Sequence, residues 1–534
     1  MSWTDTDLTD ALPVYVLSVE WFGRIYRFST YPVDILDDGD PLPFDGGLDD
    51  PEFSQQASRD GISTGGTSVP FEVVFPVDVA GEYAAGRPLQ QATGELAMVF
   101  VQSDGTVMQT WDQRFKLASG YLEMPIFGFP EAPVGLATFS LEEPASDDGL
   151  RLLASDAVIT ETTWPTATGR PMGATYPIVI GEPGKSFTSA GATITSPATP
   201  AYMVKDSGTD DILLVAGHEV AATSVTVFDK DGLSDTFTIV VTRDGLGRLV
   251  STVNIHSGSI AKDSDEYFCA WTGGGGILSP LNGGALTRLG DVCVWALSQS
   301  SIGADIARWM ASRAVLNTVK IAGYIDDQKL SPWDWLRDEI LPLIPLEVES
   351  GPEGTVPLVR QLDRRDIDTI TRVDVGPDFA ADGPMRTVSE RVDLVNNLTI
   401  RFADDIAEGK LLRTLTVQAV VNVDDPDTFA SPHSLFSSSR YGERRDEITT
   451  SYIYDPASAG AVLQQQLRAK CYPTVTRIYR AAPRWGWLEV GSALLLTDAD
   501  IGLTDRLVEV IGRRWDGDAW VYNLAFDEDP LREK

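Results

Sequence analysis

The chain is short of the residues from which most catalytic and metal centres are built. Its 534 residues include only three cysteines and three histidines. Cys269, Cys293 and Cys471 form no Cys-x-x-Cys pair, and an odd count argues against a disulfide framework, so three buried free thiols and synthesis in a reducing cytosol are expected. His218, His256 and His433 are equally scattered. A zinc site or an iron–sulfur cluster needs several such ligands converging, so no metal ligand is assigned. Basic residues are scarce too: 42 Lys and Arg stand against 78 Asp and Glu, a net charge of -36, and residues 1–60 alone carry 13 acids against 3 arginines. Without a broad basic surface to displace counterions, specific nucleic-acid binding is not expected. There is no apolar run of 18 residues, and no basic stretch followed by an apolar one. Neither a membrane-spanning helix, hence no stable membrane insertion, nor a Sec signal is expected.

The familiar catalytic patterns are missing as well. A Ser-His-Asp hydrolase sets its Gly-x-Ser-x-Gly elbow between a strand and a helix, a setting that no part of the chain is read to provide. Cys293 lies in an apolar, strand-like run from Val292 to Leu297, unsuited to an exposed nucleophile. Asp229-Lys230-Asp231-Gly232 misses the register of a calcium loop and reads as a hairpin turn. Gly181-Glu182-Pro183-Gly184-Lys185-Ser186 imitates a phosphate loop, but two residues separate its glycines instead of four, and strand-like sequence follows where a helix is required. With 78 acids, a glycosidase carboxylate pair has no distinguishing signature. No catalytic, cofactor-binding or metal residue is assigned, no cofactor is expected, and the chain is read as a non-enzyme.

What is present is period-two hydrophobicity punctuated by Gly and Asp-Gly, the mark of short antiparallel strands. The length suits several domains. Residues 1–155 read as a β domain: Val14 to Glu20 and Trp21 to Phe28 form a hairpin about Gly23-Arg24, and an acidic Gly/Asp/Ser-rich loop over 37–66 reads as a contact arm. Residues 156–262 read as a second β unit, with a meander of Ala222 to Phe228, Asp235 to Thr242 and Leu249 to Ile255. The segment 263–365 is α+β. One helix near 300–315 carries the stripe Ile302, Ile306, Met310, Ala314 behind Ser300 or Ser301, and a second over 332–341 is capped by Ser331 and buries Trp335, Leu336 and Ile340. Residues 366–534 read as a C-terminal β-barrel-type domain with a helix at 456–470, and Asp424 to Arg445 as a loop that a partner orders. The fold class is mainly β with α+β insertions, multi-domain, with barrel or sandwich units around a mixed centre.

The C-terminal strands carry a resemblance. Leu488-Glu489-Val490-Gly491, the strand Leu494 to Asp498, Asp498-x-Asp500-x-Gly502-Leu503 and Val508 to Arg513 follow one another. Pro177 to Gly181 stands downstream of Trp164 and Gly169-Arg170-Pro171, and Val395 to Phe402 comes later. In this order they resemble the hub proteins at the baseplate or tail tip of long-tailed bacteriophages and phage-like particles. The resemblance implies a structural protein of the virion, made in the host cytoplasm, that closes the distal end of the tail tube and opens for DNA ejection. It implies a homotrimer with distal tail or tube proteins above and tip or fibre proteins below. An acidic bore would let DNA slide, and Asp34 to Asp60 and Asp424 to Asp427 are its expected lining. The alternative is a carbohydrate-active or peptidoglycan-cleaving β-protein of a tail or cell surface, for which 13 tryptophans suit sugar stacking as well as they suit barrel cores.

Overall fold

The computed structural model describes residues 11–527 apart from internal gaps, the longest at 57–68, 128–135, 143–156, 360–369, 388–393 and 421–426. Strands hold 46% and helices 18% of the chain, so the mainly β expectation holds. The first sheet has nine strands. β1 (Leu12–Trp21) turns into β2 (Arg24–Ser29) through Phe22 and Gly23, both at positive φ (49° and 71°), the turn type whose twist matches a two-residue hairpin. The corner therefore falls one residue before the expected Gly23-Arg24. β3 (Val33–Asp37) and β4 (Asp40–Gly46) form a second hairpin, whose turn and second strand fall in the segment expected as a loop. Pro41 and Pro43 stand opposite Leu36 and Asp34, positions at which the β3–β4 ladder asks for no N–H, so the strand tolerates them. β5 (Ser54–Gln56) also falls in that segment, whereas 57–66 lie outside the described residues.

The sheet continues through β6 (Val69–Val74), β7 (Thr93–Val101), β8 (Phe115–Leu122), β9 (Ile126–Phe127) and β10 (Leu136–Glu142), with helix α1 (Val79–Ala84) between β6 and β7. Its order is β3-β4-β2-β1-β7-β8-β10-β6, with β9 on β10. It curls on itself: past β4 the Val74 N–H donates to the Gly47 carbonyl (3.0 Å) and the Asp49 N–H to Glu72 (2.9 Å), bringing the two ends together around Leu17, Phe28, Leu48, Phe71 and Val73.

A closed six-stranded barrel follows the short strands β11 (Ile178–Ile180), β12 (Phe187–Ser189) and β13 (Ala192–Ile194). It is built from β14 (Thr199–Lys205), β15 (Ile212–Ala216), β16 (Ser224–Asp229), β17 (Ser234–Arg243), β18 (Leu249–Asn254) and β19 (Tyr267–Trp271), in the order β14-β15-β18-β17-β16-β19. β16, β17 and β18 are the expected meander. β19 closes the ring from beyond residue 262, and alternate residues such as Leu213, Val225, Phe237, Val253 and Trp271 fill it.

Helices gather next. α2 (Leu289–Leu297) occupies the run read as a strand around Cys293. All nine of its residues are buried, and a helix buried all round shows no amphipathic period to tell it from a buried strand. α3 (Ile306–Leu316) begins later than expected, capped by Asp305, whose carboxylate accepts the Arg308 N–H (3.0 Å), rather than by Ser300 or Ser301. It buries Trp309 and Leu316; of the expected stripe, Ile302 is buried before the helix and Met310 packs against the core, whereas Ile306, 42% exposed, and Ala314 face outward, so the indole at 309 sets the packed face. β20 (Gly323–Ile325) pairs with β11. α4 (Pro332–Trp335) starts as expected: Ser331 Oγ accepts the Asp334 N–H (3.0 Å), and Trp335, Leu336 and Ile340 are buried, the last two on a π turn. β21 (Leu346–Gly351) and β22 (Gly354–Val359) form a ribbon.

The remaining strands make two sheets. β23 (Thr371–Asp374), β24 (Phe379–Ala381) and β25 (Arg386–Thr387) belong to the last sheet, whereas β26 (Asn397–Asp405), β27 (Lys410–Gln418), β28 (Thr428–Ala430) and β29 (Arg445–Thr449) form a four-stranded one against helices α5 (Pro432–Tyr441) and α6 (Pro456–Lys470). α6 was expected. α5 was not: it replaces the loop expected over 424–445, because Ser434 and Ser437, fully buried, donate to the carbonyls of Asn396 and Cys471. β30 (Thr474–Ala481), β31 (Ala493–Asp498), β32 (Leu503–Trp515) and β33 (Trp520–Asp527) complete the last sheet, in the order β23-β31-β32-β33-β30-β24.

Two large cores hold this together, and neither follows consecutive sequence. One runs from Ile178 to Tyr472 and joins α2, α3, α4, β26 and α6. The other joins the first and last sheets: Tyr15, Leu17, Phe71 and Phe100 belong to the same cluster as Tyr479, Leu494, Trp520 and Leu524. β5 crosses to pair with Gly512–Arg514 of β32, which β31 leaves uncovered.

Candidate assembly surfaces

The chemistry-bearing residues are distributed through the fold, not assembled. Cys269, Cys293 and Cys471 are buried, and burial pushes the thiols of Cys269 and Cys293 up, away from the reactive thiolate. His218 is enclosed between β11 and the barrel. Its Nε2 accepts the Val179 N–H (2.9 Å), its Nδ1 sits 2.9 Å from the Glu219 carbonyl, and burial pulls its pKa down to about 4, so the ring is neutral. His256 lies 3.4 Å from Asp211, and His433 lies 3.3 Å from the Tyr472 hydroxyl. Among the described residues no three His, Cys, Asp or Glu side chains converge as a metal would need.

The two motifs weighed as ligand loops are structural. The buried Asp229 carboxylate accepts the N–H groups of Asp231 (3.0 Å), Leu233 (2.9 Å) and Ala261 (2.9 Å), so the turn is fastened by its own backbone. Asp244 repeats the device at the next corner, accepting from Leu246 and Arg248 (2.9 Å each) and from the Tyr176 hydroxyl (3.1 Å). In the loop after β11, a Cβ at Gly181 would lie 2.2 Å from the Ile321 carbonyl and one at Gly184 2.3 Å from that of Ser196, both at positive φ. These glycines serve close packing. Gly181→Ala is expected to cost about 2 kcal/mol in a denaturation midpoint, through both the φ strain and the overlap; an unchanged midpoint would refute the packing role.

Buried polar groups brace the units. Arg477, on β30, meets Asp498 at 2.6 Å, with both side chains nearly or wholly buried, and the Tyr479 hydroxyl donates to the same oxygen (2.8 Å). Arg308 of α3 pairs with Glu489 in the turn before β31, joining the helical core to the last sheet. Arg513, fully buried beside the Trp520 ring, donates to the Leu488 carbonyl (3.3 Å), and burial pulls it down to about 10. Asn396, also buried, bonds Gly442 O, Ser437 Oγ and the Arg444 N–H, fixing the loop after α5. No period or motif announces these braces, because each joins residues far apart in the chain.

Comparison with known proteins gives structural likenesses only. No family model matches the chain, and no curated protein does. Among solved structures, the 43 kDa tail protein of prophage MuSo2 from Shewanella oneidensis aligns over 96% of this chain and 98% of its own, at 9% identity and a TM-score of 0.34. A chain of the native gene transfer agent virion aligns over 73% of this chain and 91% of its own, at 11% identity and a TM-score of 0.39. Prophage tail protein gp18 from Listeria monocytogenes EGD-e aligns over 67% and 96%, at 12% and 0.24.

The surface carries acids and open strand edges. On the β3–β4 hairpin Asp34, Asp38, Asp40 and Asp45 are exposed. Asp424 and Asp425 lie outside the described residues, and Asp427 pairs with Arg413 at 3.2 Å. Apolar side chains stand out at Phe22, Tyr31, Leu36, Val240, Val241, Leu246 and Trp487. Scattered apolar exposure is ordinary, but at a strand edge it invites pairing.

Proposed function

We propose that the chain is a structural hub of a phage or phage-like tail, assembling in the virion as a ring of three copies that closes the distal end of the tail tube. In this reading it binds tube proteins on one side and tip or fibre proteins on the other, and it opens for DNA ejection. The four segments 1–155, 156–262, 263–365 and 366–534 are its proposed building units. One observation carries the reading: the curled first and last sheets share a single hydrophobic core, with β5 threaded from one into the other. A body so joined can present two β surfaces at a fixed mutual angle. Three copies then offer six β surfaces to a tube of six-fold character and three to a tip. Part of the acid excess would line the bore, where a basic wall would hold DNA by counterion release.

Mass measurement of assembled particles is expected to give three copies per tail, and any other copy number overturns the trimer. The purified chain is expected to release no fragments from peptidoglycan or other glycans; release would favour the carbohydrate-active reading instead.

A further inference from the structure

β17 is longer than the strand beside it. β16 covers it only as far as Thr238, after which the Thr223 carbonyl accepts the Ile239 N–H (2.9 Å). Backbone groups alternate along a strand, so the N–H and C=O of Val241 and Arg243 point to the same side as those of Ile239, away from β18. Among the described residues no carbonyl meets the Val241 N–H. β18 meanwhile pairs with β17 up to Arg243, and the Asp244 turn fixes the end, so this open edge is held rigid. It is β-branched, with Val240 54% and Val241 40% exposed, and no proline or register shift interrupts it.

The outer side of β3 is open in the same way. β4 takes the backbone groups of Val33, Ile35 and Asp37, because a two-residue turn closes on a bonded pair and the alternation runs back from Asp37 opposite Asp40. Asp34 and Leu36 therefore face outward, and both side chains are exposed. Laid antiparallel on β17, they fall opposite Arg243 and Val241: acid against base, leucine against valine, bonding groups on facing edges. Sliding the pairing by two residues either way fails, since the Ile239 N–H is taken by Thr223 and the Gly245 N–H by Thr163 (2.8 Å). Within one chain β3 and β17 belong to different sheets.

We infer that β3 of one copy adds to the open edge of β17 in a second copy, with Asp34 opposite Arg243 and Leu36 opposite Val241. The contact joins two different patches, and repeated about a closing rotation it makes a ring; it rests on the ring reading of the function. Arg243 keeps one N–H on the Gly247 carbonyl (2.5 Å) and offers the rest to the acid.

The test uses the full chain in assembling particles. Val241→Pro removes an N–H from the open edge and none from the β18 ladder, so it should weaken ring formation about tenfold with an unchanged circular dichroism spectrum. Arg243→Asp should weaken it similarly, and adding Asp34→Arg should restore it. In a Leu36→Cys, Val241→Cys variant a short bismaleimide should link neighbouring copies, the three native thiols being buried. A ring that forms normally with Val241→Pro and yields no link overturns this contact and leaves the hub reading standing. A chain that neither assembles nor links overturns both. Links within an assembly of other than three copies uphold the contact and overturn the trimer.

Discussion

Replacing Asp498 by alanine is expected to destabilise the protein by about 3–5 kcal/mol, the loss found when one partner of a buried ion pair is removed. The Asp498 side chain is wholly shielded from solvent, and it neutralises Arg477, itself 11% exposed at the side chain, while taking the Tyr479 hydroxyl and capping the turn at Asp500. Removal strands a guanidinium and a phenol at the base of the last sheet. Urea midpoints should show it, and Arg477→Met combined with Asp498→Leu should recover most of the loss, since an apolar pair of similar volume carries no desolvation penalty. A single alanine variant within 1 kcal/mol of the parent, a threshold set by ordinary exposed pairs, would show that the pair is solvated.

Acid should weaken the protein through His218. Burial lowers its pKa from 6.5 to about 4, so the folded state holds the ring neutral while the unfolded chain takes up a proton as pH falls below 6.5. The stabilisation is full above pH 6.5 and drains away as pH falls toward about 4, reaching about 3 kcal/mol at 1.36 kcal/mol per pH unit. His218→Gln keeps an acceptor for the Val179 N–H and cannot take up a proton. Its stability should be nearly flat between pH 6.5 and 5, above the range where carboxylates titrate. An equal slope in both proteins would place the acid sensitivity elsewhere.

Much of the β architecture was legible because its signals are local. The glycine of the first hairpin, read one residue late, and the Asp229 corner announce turns whatever surrounds them, and the helix over 456–470 shows itself in the same local way. The failures share a cause, which is tertiary context outweighing local pattern. α2 is buried on every side, so period could not separate it from a strand. α5 owes its place to two serines bonded to distant carbonyls, and its polar sequence read as a loop. α3 turned its indole inward and carried Ile306 and Ala314 of the apparent stripe outward. The candidate contact was less legible still: an open edge depends on where a neighbouring strand stops, and no residue type marks that.

The core shared by the first and last sheets also governs how the protein is made. Residues 12–122 leave the ribosome well before the partners of their inner face, Tyr479 to Phe526. For most of synthesis that apolar face waits without its cover, a non-local closure of the kind that folds slowly and recruits chaperones. A nascent chain halted before Trp520 would present an uncovered β surface in the crowded cell. Folding of the first sheet is thus timed by synthesis of the strands from Tyr479 to Phe526.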